Sequence, residues 1–268
     1  MDYDVAYSLS EFIPNAESYG PRQQREAAEF RARRKDLARL GQRYGPSERE
    51  AYDLFLPDGV PQGLLIYVHG GFWHLYGRED WSGFAAGAAA WGWAVAIPSY
   101  TLAPEAHISA ITHQIAQAIE AAAGELAGPI VLAGHGSGGH LVARMNCRDV
   151  ALNDATRARI RRIVPISPIS DLRPLLRTRT NAKLRLGMDE ASAESPALSF
   201  DRRGIETLVW VGAEERPVFL DQAIGLAEAW DEARLHVEPG RHHFDVIRPL
   251  MKPESGMVSA LLGGIEPV

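Results

Sequence analysis

The chain has 268 residues, 46% of them hydrophobic, and a formal net charge of −6. The length fits one large α/β domain or two small ones, and the apolar content suffices for a sizeable core. The negative charge gives no general attraction to nucleic acid or to an anionic membrane surface. A single cysteine, Cys147, excludes an internal disulfide, so the sequence is compatible with a reducing compartment but does not require one.

The first residues and the hydropathy pattern give an expectation for location. The segment Met-Asp-Tyr-Asp at residues 1–4 has neither the basic nor the apolar region of a signal peptide. No apolar run is long enough to span a bilayer. We therefore expect a cytoplasmic protein with no membrane or nucleic-acid partner. The sequence is compatible with a homodimer.

The first 50 residues are polar and rich in arginine. Within them, Ala27, Phe30, Leu37 and Leu40 recur near helical spacing and predict a helix over residues 21–40. Charged residues between these positions favour a surface helix that packs one face on the body of the protein. The alternative is that this helix is part of a lid over a site.

From residue 51 onward, short apolar runs alternate with helical segments. The predicted strands cover residues 52–57, 64–68, 93–97, 129–133, 160–166, 207–211 and 235–237. The predicted helices cover residues 81–91, 108–126, 141–147 and 217–230. Continuous apolar runs are typical of strands buried on both faces, so we predict an α/β fold with a mostly parallel sheet covered by helices on both faces.

We interpret the whole chain, residues 1–268, as one domain of this kind. Residues 1–50 form an N-terminal helical extension in this interpretation. Residues 170–204 are arginine-rich and break the alternation, so we predict an irregular, cap-like insertion with short helical pieces.

The most informative stretch follows the fourth predicted strand, where a strand, a tight glycine turn and a helix predict a nucleophile elbow. An elbow holds one side chain at a strained apex, and it needs tiny residues two positions before and after that apex. Position 136 meets this requirement because it is flanked by Gly134 and Gly138, whereas Ser137 has His135 two positions before it. The turn therefore suits a serine at position 136, where this chain has Gly136.

Three other candidates stand at the carboxyl ends of predicted strands, where ligands bind in such sheets. The segment His-Gly-Gly-Phe-Trp at residues 69–73 follows the second strand, and its paired glycines allow backbone N–H groups to face an oxyanion. Glu214 and Glu215 follow the sixth strand and could orient a histidine, or simply favour the start of the next helix. His242 and His243 follow the last strand and could supply a general base. The order elbow, acid, histidine is that of α/β-hydrolases.

Metal and nucleotide sites are the competing interpretations. The chain has nine histidines but no His-Glu-x-x-His pattern and no cysteine pair, so a zinc site has little support. The glycines at 134, 136 and 139 match the bare dinucleotide-binding pattern, yet they lie inside the predicted sheet and not in a first βα unit. The Gly-Lys-Ser/Thr ending of a phosphate loop is absent. We predict no metal and no cofactor.

These motifs resemble those of α/β-hydrolases of the arylformamidase (kynurenine formamidase) type. That family typically shows His-Gly-Gly-Tyr-Trp at the first site and Gly-His-Ser-Ala-Gly-Gly-His-Leu at the elbow. Residues 98–105, Pro-Ser-Tyr-Thr-Leu-Ala-Pro-Glu, are similar to a segment shared with hormone-sensitive-lipase-like esterases. The resemblance covers about residues 48–250.

The resemblance implies the catalytic roles. The nucleophile serine of the family falls on Gly136, its acid on Glu215 and its base on His243, with Asp171 as a weaker candidate for the acid.

The resemblance also implies the binding residues. The backbone donors of the oxyanion hole would come from Gly70, Gly71, Phe72 and Ser137. An apolar pocket for an aryl group would be lined by Phe72, Trp73, Trp81 and Tyr100. For Trp81 and Tyr100, core packing is an equally good interpretation.

The implied activity is cleavage of an aryl formamide or a related aryl amide, similar to N-formylkynurenine, through an acyl-enzyme. The expected partner is therefore a small aromatic amide or ester. Gly136 has no hydroxyl, so no acyl-enzyme can form there and the chain is predicted to be inactive or nearly so. The alternative activity is that of a short-chain carboxylesterase.

Three explanations fit the glycine at the apex. The chain is an inactivated variant that holds substrate without turnover, or a non-catalytic ligand-binding homologue, or an enzyme in which Ser137 is a displaced nucleophile. We favour the first, because the acid, base and oxyanion segments are all intact. The third is disfavoured because an elbow directs position 136, and not position 137, toward the histidine.

Overall fold

The computed structural model describes residues 2–266, and its strands form one eight-stranded sheet. The strands are β1 (Ala38–Arg43), β2 (Ala51–Phe55), β3 (Leu64–Val68), β4 (Ala94–Pro98), β5 (Ile130–His135), β6 (Ile160–Ile166), β7 (Thr207–Gly212) and β8 (Ala233–Glu238). Their order across the sheet is β1-β2-β4-β3-β5-β6-β7-β8. Only β2 pairs antiparallel with its neighbours, β1 and β4, and every other pairing is parallel. The mostly parallel sheet predicted from the sequence is confirmed.

The helices lie on both sides of this sheet. The α-helices are α1 (Tyr3–Tyr7), α2 (Ala16–Arg33), α3 (Ala86–Ala90), α4 (Ile108–Glu125), α5 (Ser137–Arg144), α6 (Asp154–Arg157), α7 (Asn181–Leu184), α8 (Met188–Ala193), α9 (Pro217–Ala229) and α10 (Gly256–Leu262). Short 3₁₀ helices occupy Lys35–Leu37, Arg78–Ala85, Arg173–Arg177, Pro196–Leu198 and Arg248–Met251. Residues 170–204 thus carry only short helical pieces.

The alternation of side chains along the central strands builds two cores. In β3, Leu64, Ile66 and Val68 face one side, where they pack with residues of α4 and α5. Leu65 and Tyr67 face the other side, where they pack with residues of α2, α3 and α10. Because a strand presents alternate side chains to opposite faces, a continuous apolar run is what a strand covered on both sides requires.

The predicted helix over residues 21–40 is wrong after Arg33. The helix α2 runs from Ala16 to Arg33, and the chain then enters β1, which pairs antiparallel with β2. Ala27 and Phe30 are buried as the helical spacing predicts, but Leu40 is half exposed on the edge strand. Pairing with β2 supplies the backbone hydrogen bonds in this stretch, so tertiary context overrides the helical pattern.

No helix within residues 2–266 is both long enough and apolar enough to cross a membrane.

Candidate active site

The elbow is a single residue between two regular elements. β5 ends at His135 and α5 begins at Ser137, which leaves Gly136 between them with φ 56° and ψ −115°. A Cβ atom added to Gly134 would lie 2.3 Å from the carbonyl oxygen of Gly138. This contact explains why the turn needs glycine two residues before its apex.

The apex itself is open toward one side chain. A Cβ atom built on Gly136 would lie 3.5 Å from Nε2 of His243, which is ordinary van der Waals contact, and would meet no other residue within 4 Å. The side chain of residue 136 would therefore point at the imidazole.

The imidazole is held by a buried carboxylate. Nδ1 of His243 lies 2.7 Å from Oε2 of Glu215, and both side chains are buried. The other carboxylate oxygen, Oε1, accepts the Ser167 hydroxyl and the backbone N–H of Gly212 at 3.0 Å. A carboxylate only accepts hydrogen bonds, so Nδ1 of the neutral ring carries the proton and Nε2 is left as the acceptor that faces position 136.

Aromatic rings fix the plane of that imidazole. The ring of His243 lies 4.4 Å from the Phe219 ring and 4.5 Å from the His135 ring, centroid to centroid. His135 also donates from Nε2 to the backbone carbonyl of His243 at 2.9 Å. Burial lowers the pKa of His135 well below its usual range, which keeps that ring neutral. The elbow thus holds the histidine loop directly.

The glycine segment after β3 faces the same point. Gly71 and Phe72 both have positive φ, 118° and 48°, and both line the cavity at the elbow. Within residues 2–266, the N–H groups of Phe72 and Ser137 have no backbone acceptor. Ser137 is the first residue of α5, where the positive end of the helix dipole favours an anion. Gly70 instead packs against the elbow, because a Cβ there would lie 2.8 Å from the carbonyl oxygen of His135.

A cavity of about 490 Å³ opens above these groups. Gly136, Ser137 and His243 lie in its wall, and so do aromatic side chains. The aromatic residues that line it are Tyr7, Tyr19, Phe72, Tyr76, Trp81, Phe219 and Phe244. This wall suits a ligand with a flat apolar group.

Two aromatic residues predicted for the pocket lie in the core instead. Trp73 and Tyr100 are fully buried and do not line the cavity. Trp73 packs edge-on to His140, and Tyr100 stacks on His69 with ring centroids 4.5 Å apart. The Tyr100 hydroxyl donates to the backbone carbonyl of His69 at 3.1 Å, which ties this core to the glycine segment. An aromatic residue beside a motif can either line a pocket or fill the core, and the burial of Trp73 and Tyr100 shows that both fill the core.

The N-terminal segment supplies a wall of the cavity, mostly through residues that precede the helix predicted over residues 21–40. The cavity-lining residues of this segment are Tyr7, Ser8, Leu9, Ser10, Ala16, Glu17, Tyr19, Gly20 and Gln23. The Tyr19 hydroxyl lies 3.0 Å from Nε2 of His242, and Nε2 of Gln222 donates to the Tyr7 hydroxyl at 2.8 Å. The surface-helix interpretation fits the later part of α2, but the start of the chain contacts the site.

The two competing carboxylates do not contact the histidine. Asp171 pairs with Arg173, with Oδ2 and Nη2 2.7 Å apart, and does not contact His243. Glu214 is exposed. Within residues 2–266, no group of three His, Cys, Asp or Glu side chains is placed to hold a metal ion. The structure therefore brings together Gly136, Glu215 and His243, while Ser167, Phe219 and His135 are neighbours that the sequence motifs did not single out.

Comparisons with known proteins give the family of this fold. A family profile described as the alpha/beta hydrolase fold matches residues 65–243. The kynurenine formamidase of Danio rerio is 28% identical over 235 residues, which cover 82% of this chain and 78% of that protein. The kynurenine formamidase of Salmo salar is 25% identical over 233 residues, which cover 82% of this chain and 79% of that protein.

One solved structure is similar along nearly its whole length. It is a protein of Silicibacter sp. tm1040 with a provisional thioesterase name, 52% identical, and it covers 97% of this chain and 99% of its own with a TM-score of 0.95. The family profile spans more than half of the chain and includes the elbow, Glu215 and His243. The chain therefore belongs to the α/β-hydrolase family.

Proposed function

We propose that this chain is a nucleophile-deficient form of a hydrolase that cleaves aryl formamides or related aryl amides through an acyl-enzyme. The observation that carries the proposal is the 3.5 Å distance between a Cβ at position 136 and Nε2 of His243, whose Nδ1 is bound to Glu215. A serine at position 136 completes a nucleophile, base and acid in their required order of contact.

The chemistry with serine at the apex follows from these contacts. The serine oxygen attacks the carbonyl carbon, its proton moves to Nε2 of His243, and Glu215 balances the charge of the imidazolium. The N–H groups of Phe72 and Ser137 stabilise the oxyanion, a contribution of about 3–4 kcal/mol per donor. The imidazolium then protonates the leaving aniline, and water attacks the acyl-enzyme to release the acid.

The substrate class is supported by the cavity and by the relatives. Phe72, Trp81 and Phe219 supply flat apolar walls beside the elbow, which suits an aryl leaving group. Two relatives of 25% and 28% identity are kynurenine formamidases. An aryl formamide joins a small acyl group to such an aromatic leaving group.

With Gly136 the same site binds substrate and forms no acyl-enzyme. We infer that the loss is confined to the nucleophile, because Glu215, His243 and the oxyanion N–H groups keep a productive arrangement. An inactivated variant fits this pattern better than a lineage that gave up catalysis, which would be expected to lose more than one of these groups.

The second candidate function is cleavage of a short-chain ester or thioester. The name of the Silicibacter protein, which is 52% identical over nearly the full chain, favours this class. The oxyanion donors and the histidine do not discriminate between oxygen, sulfur and nitrogen leaving groups. The leaving-group walls of the cavity must do so.

The test is Gly136→Ser, assayed against N-formylkynurenine, other aryl amides, short nitrophenyl esters and acyl thioesters. Aryl amide turnover supports the first candidate, and turnover of esters or thioesters alone supports the second. The double variant Gly136→Ser/His243→Gln controls for contaminating hydrolases. A well-folded Gly136→Ser protein that turns over nothing on the panel would contradict both and favour a ligand-binding homologue.

A further inference from the structure

We propose that the chain with glycine at the apex is itself a slow hydrolase of activated esters, in which His243 delivers water directly to the carbonyl carbon. The inference uses the histidine, acid and oxyanion groups of the proposed function. It does not depend on the aryl formamide as substrate, and it requires no covalent intermediate.

The space for the water is defined by the elbow. A Cβ on Gly136 would meet only His243, at 3.5 Å from Nε2, so the volume that a serine side chain needs is bounded there by the imidazole. A water oxygen that bonds Nε2 at about 2.8 Å fits into that volume. Both residues line the 490 Å³ cavity, so solvent and substrate reach the same point.

The base is complete without a nucleophile on the chain. Nδ1–H of His243 donates to Glu215 at 2.7 Å, which leaves the lone pair of Nε2 directed at position 136. The rings of Phe219 and His135, centred 4.4 Å and 4.5 Å away, hold the imidazole in that orientation. A positioned general base contributes about 10²- to 10⁴-fold to a rate.

The electrophile side is also complete. The N–H groups of Phe72 and Ser137 remain without a backbone acceptor in the described part of the chain and can receive the developing oxyanion. In serine hydrolases that lose a catalytic residue, oxyanion binding and substrate binding still give about 10³- to 10⁴-fold over water. The base retained here adds to the same transition state.

The proposed step balances as follows. The water oxygen bonds to the carbonyl carbon, one water proton moves to Nε2, and the carbonyl π electrons move to the oxygen. The tetrahedral intermediate then expels the phenolate with the electron pair of the broken C–O bond, and the imidazolium returns its proton to solvent. A nitrophenolate leaves without protonation, whereas an aniline must first gain a proton, so activated esters are the substrates that this step favours.

The test uses the full chain as it exists with 4-nitrophenyl acetate, followed by stopped-flow absorbance and intact-protein mass spectrometry. We expect a rate above buffer, release of nitrophenolate that is linear from the first turnover, and no acetyl adduct. His243→Gln should lose about 10²-fold of the enzyme-dependent rate. The exposed His113 provides the matched control, and His113→Gln should retain that rate.

A second pair of variants guards against a fold defect in the first. Glu215→Gln should lower the rate, whereas the neighbouring exposed Glu214 should tolerate Glu214→Gln. Far-ultraviolet circular dichroism of each variant should match the parent chain. An initial burst, an acetyl adduct, or a full rate in His243→Gln would overturn the inference, because each places the chemistry on another group.

Gly136→Ser separates this inference from the proposed function. If Gly136→Ser cleaves aryl amides and the glycine chain shows no rate above buffer, the inference fails and the proposed function stands. If the glycine chain hydrolyses 4-nitrophenyl acetate through His243 and Gly136→Ser turns over no amide, the aryl amide proposal fails and the inference stands.

Discussion

Nδ1 of His243 lies 2.7 Å from Oε2 of Glu215, and the opposite nitrogen of the same ring faces a glycine. The carboxylate is held from its other side by Ser167 and by the N–H of Gly212. The proposed acid and base are therefore held in place without any contact from residue 136. Predictions about catalysis can then be made in the Gly136→Ser background.

Glu215→Gln in the Gly136→Ser background should lower kcat by between about 10²- and 10⁴-fold, because an amide cannot balance the imidazolium charge and can fix the wrong tautomer. KM should change less, since Glu215 does not contact the cavity. Steady-state kinetics measure both constants. The adjacent Glu214→Gln serves as control, and an equal loss in it would argue against the role of Glu215.

Gly136→Ser should lower the free energy of unfolding even as it restores turnover. The apex has φ 56° and ψ −115°, and a non-glycine residue in such a region costs about 1–3 kcal/mol. The reduced freedom of the unfolded chain returns about 0.4–1 kcal/mol of this. Urea unfolding should therefore show a net loss of roughly 1–2 kcal/mol.

The matched control for that measurement is Gly124 in α4, which has ordinary φ and open space around it. Gly124→Ser should be neutral or slightly stabilising, because serine is the better helix former. A Gly136→Ser protein as stable as Gly124→Ser would show that the apex is unstrained.

Stability should fall as the solution is acidified below pH 6.5. Burial lowers the pKa of His69 to about 4 and that of His140 to about 3, and it also lowers the pKa of His135 well below its usual range. Below pH 6.5 the unfolded chain binds protons that the folded chain does not. The stability that each buried, neutral imidazole contributes is therefore complete above that pH. It is lost as the pH falls toward the folded-state pKa, at up to about 1.4 kcal/mol per pH unit for each ring.

Urea midpoints between pH 7.5 and 5 measure this dependence. His140 donates from Nε2 to the backbone carbonyl of Glu194 at 2.6 Å, and glutamine can supply a similar donor. His140→Gln should therefore reduce the slope of stability with pH, whereas His113→Gln at an exposed site should leave it unchanged. An unaltered slope in His140→Gln would mean that this ring is charged in the folded protein.

Tyr19→Phe in the Gly136→Ser background should raise KM by up to about fivefold, because the lost hydrogen bond to His242, worth about 1 kcal/mol, loosens the cavity wall that Tyr19 forms. The hydroxyl lies 3.0 Å from Nε2 of His242, whereas the ring contact with Phe244 is kept in the variant. Steady-state kinetics with the best substrate of the panel measure the change. Arg25, which is exposed on the same helix, provides the control variant Arg25→Ala. Equal effects of the two would indicate a general loosening of α2 and not a role for Tyr19.

The sequence singled out Gly136, Glu215 and His243, which the structure brings together, because each element there carries a local signature. The strand over residues 64–68 has the predicted bounds, and the glycines at 134 and 138 marked the elbow through a steric requirement that spans only five residues. The order of the elbow, Glu215 and His243 along the chain then indicated which residues are the candidate acid and base.

What the sequence missed depends on contacts between distant segments. Tyr19 and His242 are 223 positions apart, and no local pattern connects them. Trp73 and Tyr100 stand beside recognisable motifs, but only packing decides whether such a ring lines a pocket or fills the core. The first residues of β1 were predicted to be helical because Leu37 and Leu40 fit the helical period, whereas pairing with β2 determines their conformation.

The hydrogen bond from His135 Nε2 to the carbonyl of His243 ties the turn bearing position 136 to the loop bearing the proposed base. We therefore expect a change of side chain at the apex to leave the imidazole in place. Serine or cysteine can be introduced at position 136 and compared with water in the same frame. The protein can thus serve as a scaffold in which the chemistry of the nucleophile, oxygen or sulfur, is varied while the proposed base, acid and oxyanion donors are held constant.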